Sequence, residues 1–165
     1  MEGVNPPGTT LLVQDFIRWL REDSPFGDLT SELLIPKGVR VRAVVIAKSE
    51  AIAACVEDLA EALNALGVRV TKLVPSGTPL KPRDVVMELV GEARKLLLVE
   101  RTLLNLVKYL FGVATTTRTF VEEARRANPR VRVAATRKVI PGLRYLAKKA
   151  VRAGGGDTHR FSLSD

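Results

Sequence analysis

The feature that most constrains this fold is the order of segments in the last thirty-five residues. Val131 to Ala135 is a short apolar run with strand character, and Pro141-Gly142 then breaks the chain. Leu143 to Ala153 is helical by composition and by its Leu143/Leu146/Ala150 spacing; Gly154-Gly155-Gly156 ends it and Phe161 to Leu163 opens a second strand. Strand, helix, strand is the β-α-β unit from which parallel sheets and α/β barrels are built, and a single unit can neither close a barrel nor cover both faces of a sheet. The same stretch gathers Arg137 and Lys138 after the first strand, and the only histidine, His159, beside Arg160 after the triple glycine. Strand ends present cationic side chains, and glycines let backbone N–H groups approach an anion. The expectation is a pocket for a small, multiply charged anion.

Charge supports an anionic partner. The formal net charge is +8, yet residues 1–100 carry 12 Lys and Arg against 14 Asp and Glu, whereas residues 101–165 carry 14 against 4. Charge that served only solubility would not segregate in this way. The basic part has few aromatics for stacking bases (Tyr109, Phe111, Phe120, Tyr145, Phe161) and no Lys/Arg-rich tract, which argues against nucleic acid and for a small anionic substrate. The lone cysteine, Cys55, sits beside Ala53 and Ala54, excludes an internal disulfide and reads as inert packing. No leader and no apolar run of about 20 residues is present, so a cytoplasmic protein without a membrane span is expected.

Upstream, helices and strands mix without regular alternation. After a loose start with Pro6 and Pro7, Leu11, Leu12, Phe16, Trp19 and Leu20 recur at helical spacing, with Thr9 or Thr10 as cap. Ser24 to Asp28 ends that helix. Val39 to Ile46, Val68 to Val74 and Asp84 to Val90 read as strands; Cys55 to Leu66 reads as a helix closed by Gly67, and Pro75 to Pro82 as a loop. Ala93 to about Phe111 is a leucine-rich helix, interrupted at Gly112, and Thr115 to Ala127 continues as a second helix. The resulting division is an α+β domain over 1–112 and a β-α-β unit within 113–165, which the family resemblance given below makes an N-terminal domain with a dimerising helix and the truncated start of an α/β barrel. The fold class is α/β.

Each candidate site residue has a plainer reading. Arg137 and Lys138 are either solvated strand-end charges or active-site groups at the barrel edge where such groups gather. His159 is either structural or a hydrogen-bonding contact to a substrate acid, with Arg160 offering bidentate carboxylate geometry. Arg101, next to Glu100 within the leucine-rich helix, is either a surface ion pair or a group covered by a subunit interface. Gly112 to Thr117 reads as a helix start whose free N–H groups and hydroxyls meet an anion. Neither Gly-x-x-x-x-Gly-Lys-Ser/Thr nor Gly-x-Gly-x-x-Gly occurs, which removes the usual nucleotide loops.

Taken together, Gly27-Asp28-Leu29-Thr30-Ser31, Glu100-Arg101-Thr102-Leu103-Leu104-Asn105, Gly112-Val113-Ala114-Thr115-Thr116-Thr117, Thr136-Arg137-Lys138 with Pro141-Gly142-Leu143-Arg144, and Gly154-Gly155-Gly156-Asp157-Thr158-His159-Arg160-Phe161 resemble quinolinate phosphoribosyltransferase, also called carboxylating nicotinate-nucleotide pyrophosphorylase. The resemblance implies a glycosyltransferase of NAD biosynthesis that converts quinolinate and phosphoribosyl pyrophosphate, with Mg²⁺, into nicotinate mononucleotide, pyrophosphate and CO₂. It implies substrate contacts from Arg101, Thr136, Arg137, Lys138, His159 and Arg160. Of these, Arg137, His159 and Arg160 would hold the quinolinate carboxylates, and Lys138 would face the phosphoribosyl substrate. Arg101 would reach into the neighbouring subunit of a homodimer. Val139 and Ile140 depart from the family, which usually has threonines there. The resemblance covers the N-terminal domain and the first barrel strands only, and it places the Mg²⁺ ligands beyond Asp165. The chain alone is therefore expected to be inactive, either awaiting a separate C-terminal half or acting as a non-catalytic dimerising or anion-binding remnant.

Overall fold

A computed structural model describes residues 9–163, with side chains from residue 12. The opening Pro6-Pro7 segment and the capping hydroxyls of Thr9 and Thr10 lie outside what is described.

Helix α1 (Thr9–Asp23) buries Leu12 and Phe16 on the face set by their 3.6-residue spacing. A second helix, α2 (Leu29–Leu34), follows the break at Ser24 to Asp28, in a stretch for which the sequence predicts no element. Asp28 starts it: Oδ1 accepts the Ser31 N–H at 3.1 Å and the Ser31 hydroxyl donates to Oδ2, the usual way an N-cap satisfies an orphan donor. Gly27 (φ +88°) makes the preceding turn, where a Cβ would strike Glu32 Oε1 at 2.7 Å.

Strands β1 (Arg40–Ile46), β3 (Arg69–Leu73) and β5 (Val85–Glu92) form an antiparallel sheet in the order β1-β5-β3. β5 is central, which is why Val86, Met87 and Leu89 are all buried although they point to both faces. Two residues each of β2 (Ala51–Ile52) and β4 (Pro79–Leu80) pair, β4 inside the expected Pro75 to Pro82 loop and β2 in a stretch with no expected element, since backbone pairing at Ala51–Leu80 needs no strand-like run of side chains. Helix α3 (Val56–Ala65) packs on β3 and α1 and buries Leu59 and Leu63, and Gly67 (φ +82°) follows its end as expected.

Helix α4 (Ala93–Ala127) corrects the expected interruption at Gly112: it is one continuous helix of 35 residues. A single glycine costs a helix only about 1 kcal/mol, and the burial of Leu96, Leu103, Leu106, Leu110, Ala114 and Val121 outweighs it. The N–H groups of Gly112 to Thr117 are thus helix-interior, and the hydroxyls of Thr115 and Thr117 donate to the carbonyls of Phe111 and Val113 at 2.6 and 2.7 Å. Thr115 also accepts the Ile52 N–H at 2.9 Å, fastening β2 to α4. The anion-binding helix start is not there.

Helix α5 (Arg144–Ala153) packs on α4. The flanking β-α-β strands reduce to one parallel bridge, Ala134 to Asp157, and Phe161 to Leu163 forms bends rather than a strand. A parallel strand is held by neighbours on both sides, and among the described residues each of these segments has only the other. The architecture is an α/β partial fold.

Candidate active site

The triple glycine does something other than the sequence predicted. Gly155 (φ +89°) donates to Arg152 O at 2.9 Å and Gly156 to Val151 O at 3.0 Å, the paired bonds of a Schellman helix end. Their N–H groups are therefore spent on α5, not presented to an anion. The missing side chains serve packing. A Cβ on Gly154 would meet Ala114 O and lie 2.7 Å from Thr117 Cβ, and one on Gly156 would lie 2.6 Å from Thr117 Cγ2. The glycines let α5 close onto α4 and return the chain alongside Val133 to Ala135.

That return brings the cationic residues together. Asp157 N donates to Val133 O at 2.8 Å and Ala135 N donates to Asp157 O at 2.9 Å, so two chain segments run side by side and emerge at one edge. One segment continues as Thr136-Arg137-Lys138 and the other as Thr158-His159-Arg160. Between them stands Lys148, on α5 and fully buried, whose Nζ donates to Thr136 O at 2.8 Å and to Thr158 O at 2.6 Å. Burial, then the charges of Arg144 and Arg137, pull the Lys148 pKa below its ordinary value.

Arg137 is half-buried, and its Nη1 is buried without a partner. An unpaired buried donor costs about 1–3 kcal/mol, more when charged, so Nη1 is an unfavourable feature of the chain as it stands. His159 and Arg160 are exposed at the same edge. His159 adopts φ +53°, a left-handed conformation costing roughly 1–2 kcal/mol for a residue with a Cβ. Asp157 offsets this: its Oδ1 accepts the His159 N–H at 3.2 Å while Oδ2 pairs with Arg132. The hydrogen bond from His159 and the charge of Arg132 hold the Asp157 carboxyl below the usual carboxylate range. Lys138 is exposed, and its N–H donates to Thr136 Oγ1 at 3.2 Å, shaping the tip of its segment.

Arg101 does not join this group within the chain. It pairs with Asp23 at 3.2 Å beside a cleft lined by Asp28, Thr30 and Glu100. A cleft of about 710 Å³ also lies apart: Tyr109, Val113, Phe120, Val133 and Val151 line an apolar groove between α4 and the returning chain. A second apolar cleft, about 360 Å³, runs between β1 and α4, where Val41, Val44, Leu97 and Leu104 stand exposed.

Sequence reasoning missed Lys148 and the Lys149–Asp58 pair. Both lysines lie in a run with Arg144 and Arg152, and nothing in that composition distinguishes a buried lysine from a solvated one. Spacing gives no signal either, since Lys148 is two residues from both Leu146 and Ala150 and so lies on the other side of the helix from their core-facing side chains.

Among the described residues no helix is long and apolar enough to cross a membrane. Nor do three or more His, Cys, Asp or Glu side chains cluster there as metal ligands; these residues do not by themselves fit a Mg²⁺ site.

Comparison with known proteins agrees with the motifs. The family model for the quinolinate phosphoribosyl transferase N-terminal domain matches residues 28–111, and that for the C-terminal domain matches residues 113–165. The chain is 42% identical over 154 residues to the probable carboxylating nicotinate-nucleotide pyrophosphorylase of Methanothermobacter thermautotrophicus, covering 93% of this chain and 55% of that protein. It is 37% identical over 153 residues to the carboxylating nicotinate-nucleotide pyrophosphorylase of Mycobacterium leprae, covering 90% of this chain and 53% of the relative. The crystal structure of NadC from Streptococcus pyogenes superimposes with a TM-score of 0.87 at 30% identity, over 96% of this chain and 57% of that one. The chain spans about half the length of the curated relatives it matches. On its motifs, its fold and both matching family models, the chain belongs to the quinolinate phosphoribosyl transferase family.

Proposed function

We propose that this chain supplies the aromatic-dicarboxylate half of a quinolinate phosphoribosyltransferase site. The observation that carries the reading is the unpartnered, buried Nη1 of Arg137 at an edge shared with Lys138, His159 and Arg160. Adjacent carboxylates on one ring repel each other, and guanidinium and imidazole donors relieve that repulsion when the ligand is bound. Arg137, His159 and Arg160 hold the two carboxylates; Thr136 shapes the turn before Lys138, and Lys138 faces phosphoribosyl pyrophosphate. The pyridine nitrogen displaces pyrophosphate from the ribose carbon. The resulting cationic ring then accepts the electron pair left when the neighbouring carboxylate departs as CO₂, and protonation of that carbon gives nicotinate mononucleotide. These residues bind and orient the acid.

Mg²⁺ would neutralise charge on the leaving pyrophosphate, and its ligands come from outside the described residues, which lack a carboxylate cluster. A separate chain supplying the C-terminal half of the family's length would complete the site for turnover in the cytoplasm. Arg101, exposed on α4 next to the apolar cleft of Val41, Val44, Leu97 and Leu104, would serve a partner subunit's site in a homodimer formed across that face.

The test is calorimetric titration of the chain with quinolinate, with nicotinate as the monocarboxylate control. Each charge-assisted bond contributes about 1.5–3 kcal/mol, so quinolinate should bind nearer millimolar than micromolar in an open site, and several-fold tighter than nicotinate. Equal affinity for the two acids would overturn the reading.

A further inference from the structure

We propose that Lys148 is a positioning residue of this site. Its ammonium, held between the carbonyls of Thr136 and Thr158, sets the separation of the segment bearing Arg137 and Lys138 from the segment bearing His159 and Arg160. The inference rests on the dicarboxylate reading above and deepens it.

The geometry is specific. Each carbonyl belongs to the residue immediately before a pair of site residues, so moving either carbonyl moves the side chains that follow it. The backbone ladder between the two segments ends at the Ala135 N–H to Asp157 O bond. One step beyond it, Lys148 Nζ takes over as the link, reaching both segments from α5 at 2.8 and 2.6 Å.

The chemistry is unlike that of a packing residue. The charged groups that act on Lys148 are Arg144 and Arg137, both cations, and its bonds go to neutral carbonyls. Burying a charge in that setting is unfavourable, and a methionine would fill the same space without the cost. An ammonium can do what methionine cannot, which is to bond two carbonyls at once from one short tip. It also deepens the local excess of positive charge around the orphaned Arg137 guanidinium, so a dianionic ligand gains more at this edge than a monoanion does.

The test uses the full 165-residue chain, isotopically labelled, as wild type, Lys148→Met and Lys148→Gln. Three quantities are read: amide resonances, the unfolding midpoint, and affinities for quinolinate and nicotinate well below that midpoint. In Lys148→Met the amide shifts should concentrate at 136–138 and 158–160. Quinolinate affinity should fall about tenfold or more, while nicotinate affinity falls less, so the ratio of the two collapses. A lower midpoint with the wild-type ratio retained would show Lys148 to be a fold residue only and would overturn the proposal. If Lys148→Met does not fold, Lys148→Gln is judged by the same ratio. If wild type binds neither acid, the dicarboxylate reading falls, and the distribution of amide shifts decides the positioning role separately.

Discussion

Lys149 Nζ lies 2.6 Å from Asp58 Oδ1 and joins α5 to α3, so a residue beside the cationic edge is anchored to the N-terminal half of the molecule. Burial alone would lower the Lys149 pKa, but the hydrogen bond and charge of Asp58 outweigh it and raise it. Asp58 is largely buried and its Oδ2 has no partner. Lys149 also stands 5.4 Å over the Tyr145 ring. Lys149→Met should therefore destabilise the chain by about 2–3 kcal/mol, since it strands a buried carboxylate. Asp58→Asn with Lys149→Met should recover most of that loss, as urea unfolding of the single and double variants will show.

Arg137 should trade stability for binding. Its orphaned Nη1 is a cost in the free protein, so Arg137→Met is expected to leave stability unchanged or raise it by about 1 kcal/mol. Quinolinate affinity should drop at least tenfold, about 1.4 kcal/mol. Denaturant unfolding and calorimetry on the same sample check both halves.

The glycines of α4 and α5 should respond in opposite directions. A Cβ on Gly112 meets nothing within 4 Å, so Gly112→Ala should stabilise by about 1 kcal/mol through helix propensity. Gly154→Ala forces a methyl against Ala114 O and Thr117 and should destabilise by about 3 kcal/mol. Thermal unfolding of the two variants distinguishes them without ambiguity of sign.

Burial, with the nearby Asp58 charge, pushes the Cys55 thiol up to about 12. The thiol should be inert to a disulfide reagent at pH 8 in the folded chain and react on unfolding. The unfolded thiol ionises near about 8.5, so above that pH the unfolded state loses the proton first. The stability contribution is complete below about 8.5 and declines as pH rises towards 12, by up to ~1.4 kcal/mol per pH unit. Stability curves against pH for wild type and Cys55→Ala should diverge only in that range.

Much of this was legible in the sequence because it rested on local periodicity. Phe16 and Leu12 marked the face of α1, Val39 to Ile46 read as a strand where β1 runs from Arg40 to Ile46, and Gly67 stood after the helix it follows. The failures share a cause, which is that the deciding partner was remote. Gly112 reads as a breaker until the burial of Leu110 and Ala114 on either side is known. Val131 to Ala135 has strand composition, but a strand requires neighbours, and Ala134 finds only Asp157. The triple glycine looked like an anion cradle because glycine at a turn and glycine under a packed helix are spelled alike. The cationic cluster was visible as residue types; the buried ammonium that binds its two segments was not, since adjacent lysines read alike until their remote partners are known, the carbonyls of Thr136 and Thr158 for Lys148 and Asp58 for Lys149.

The unbroken α4 has a mechanical consequence. At about 1.5 Å per residue it is a rod of roughly 50 Å, and the seam between the two matched family domains, at Gly112, falls inside it. No linker separates the halves, so they cannot swing about a hinge there. A shift of the helix at Arg101 would be delivered to Ala114 and Thr117, the atoms against which the Gly154 and Gly156 turn is pressed. Whatever docks against the N-terminal face therefore sets the footing of the cationic edge, and a cut at the seam would sever a strut rather than free two domains.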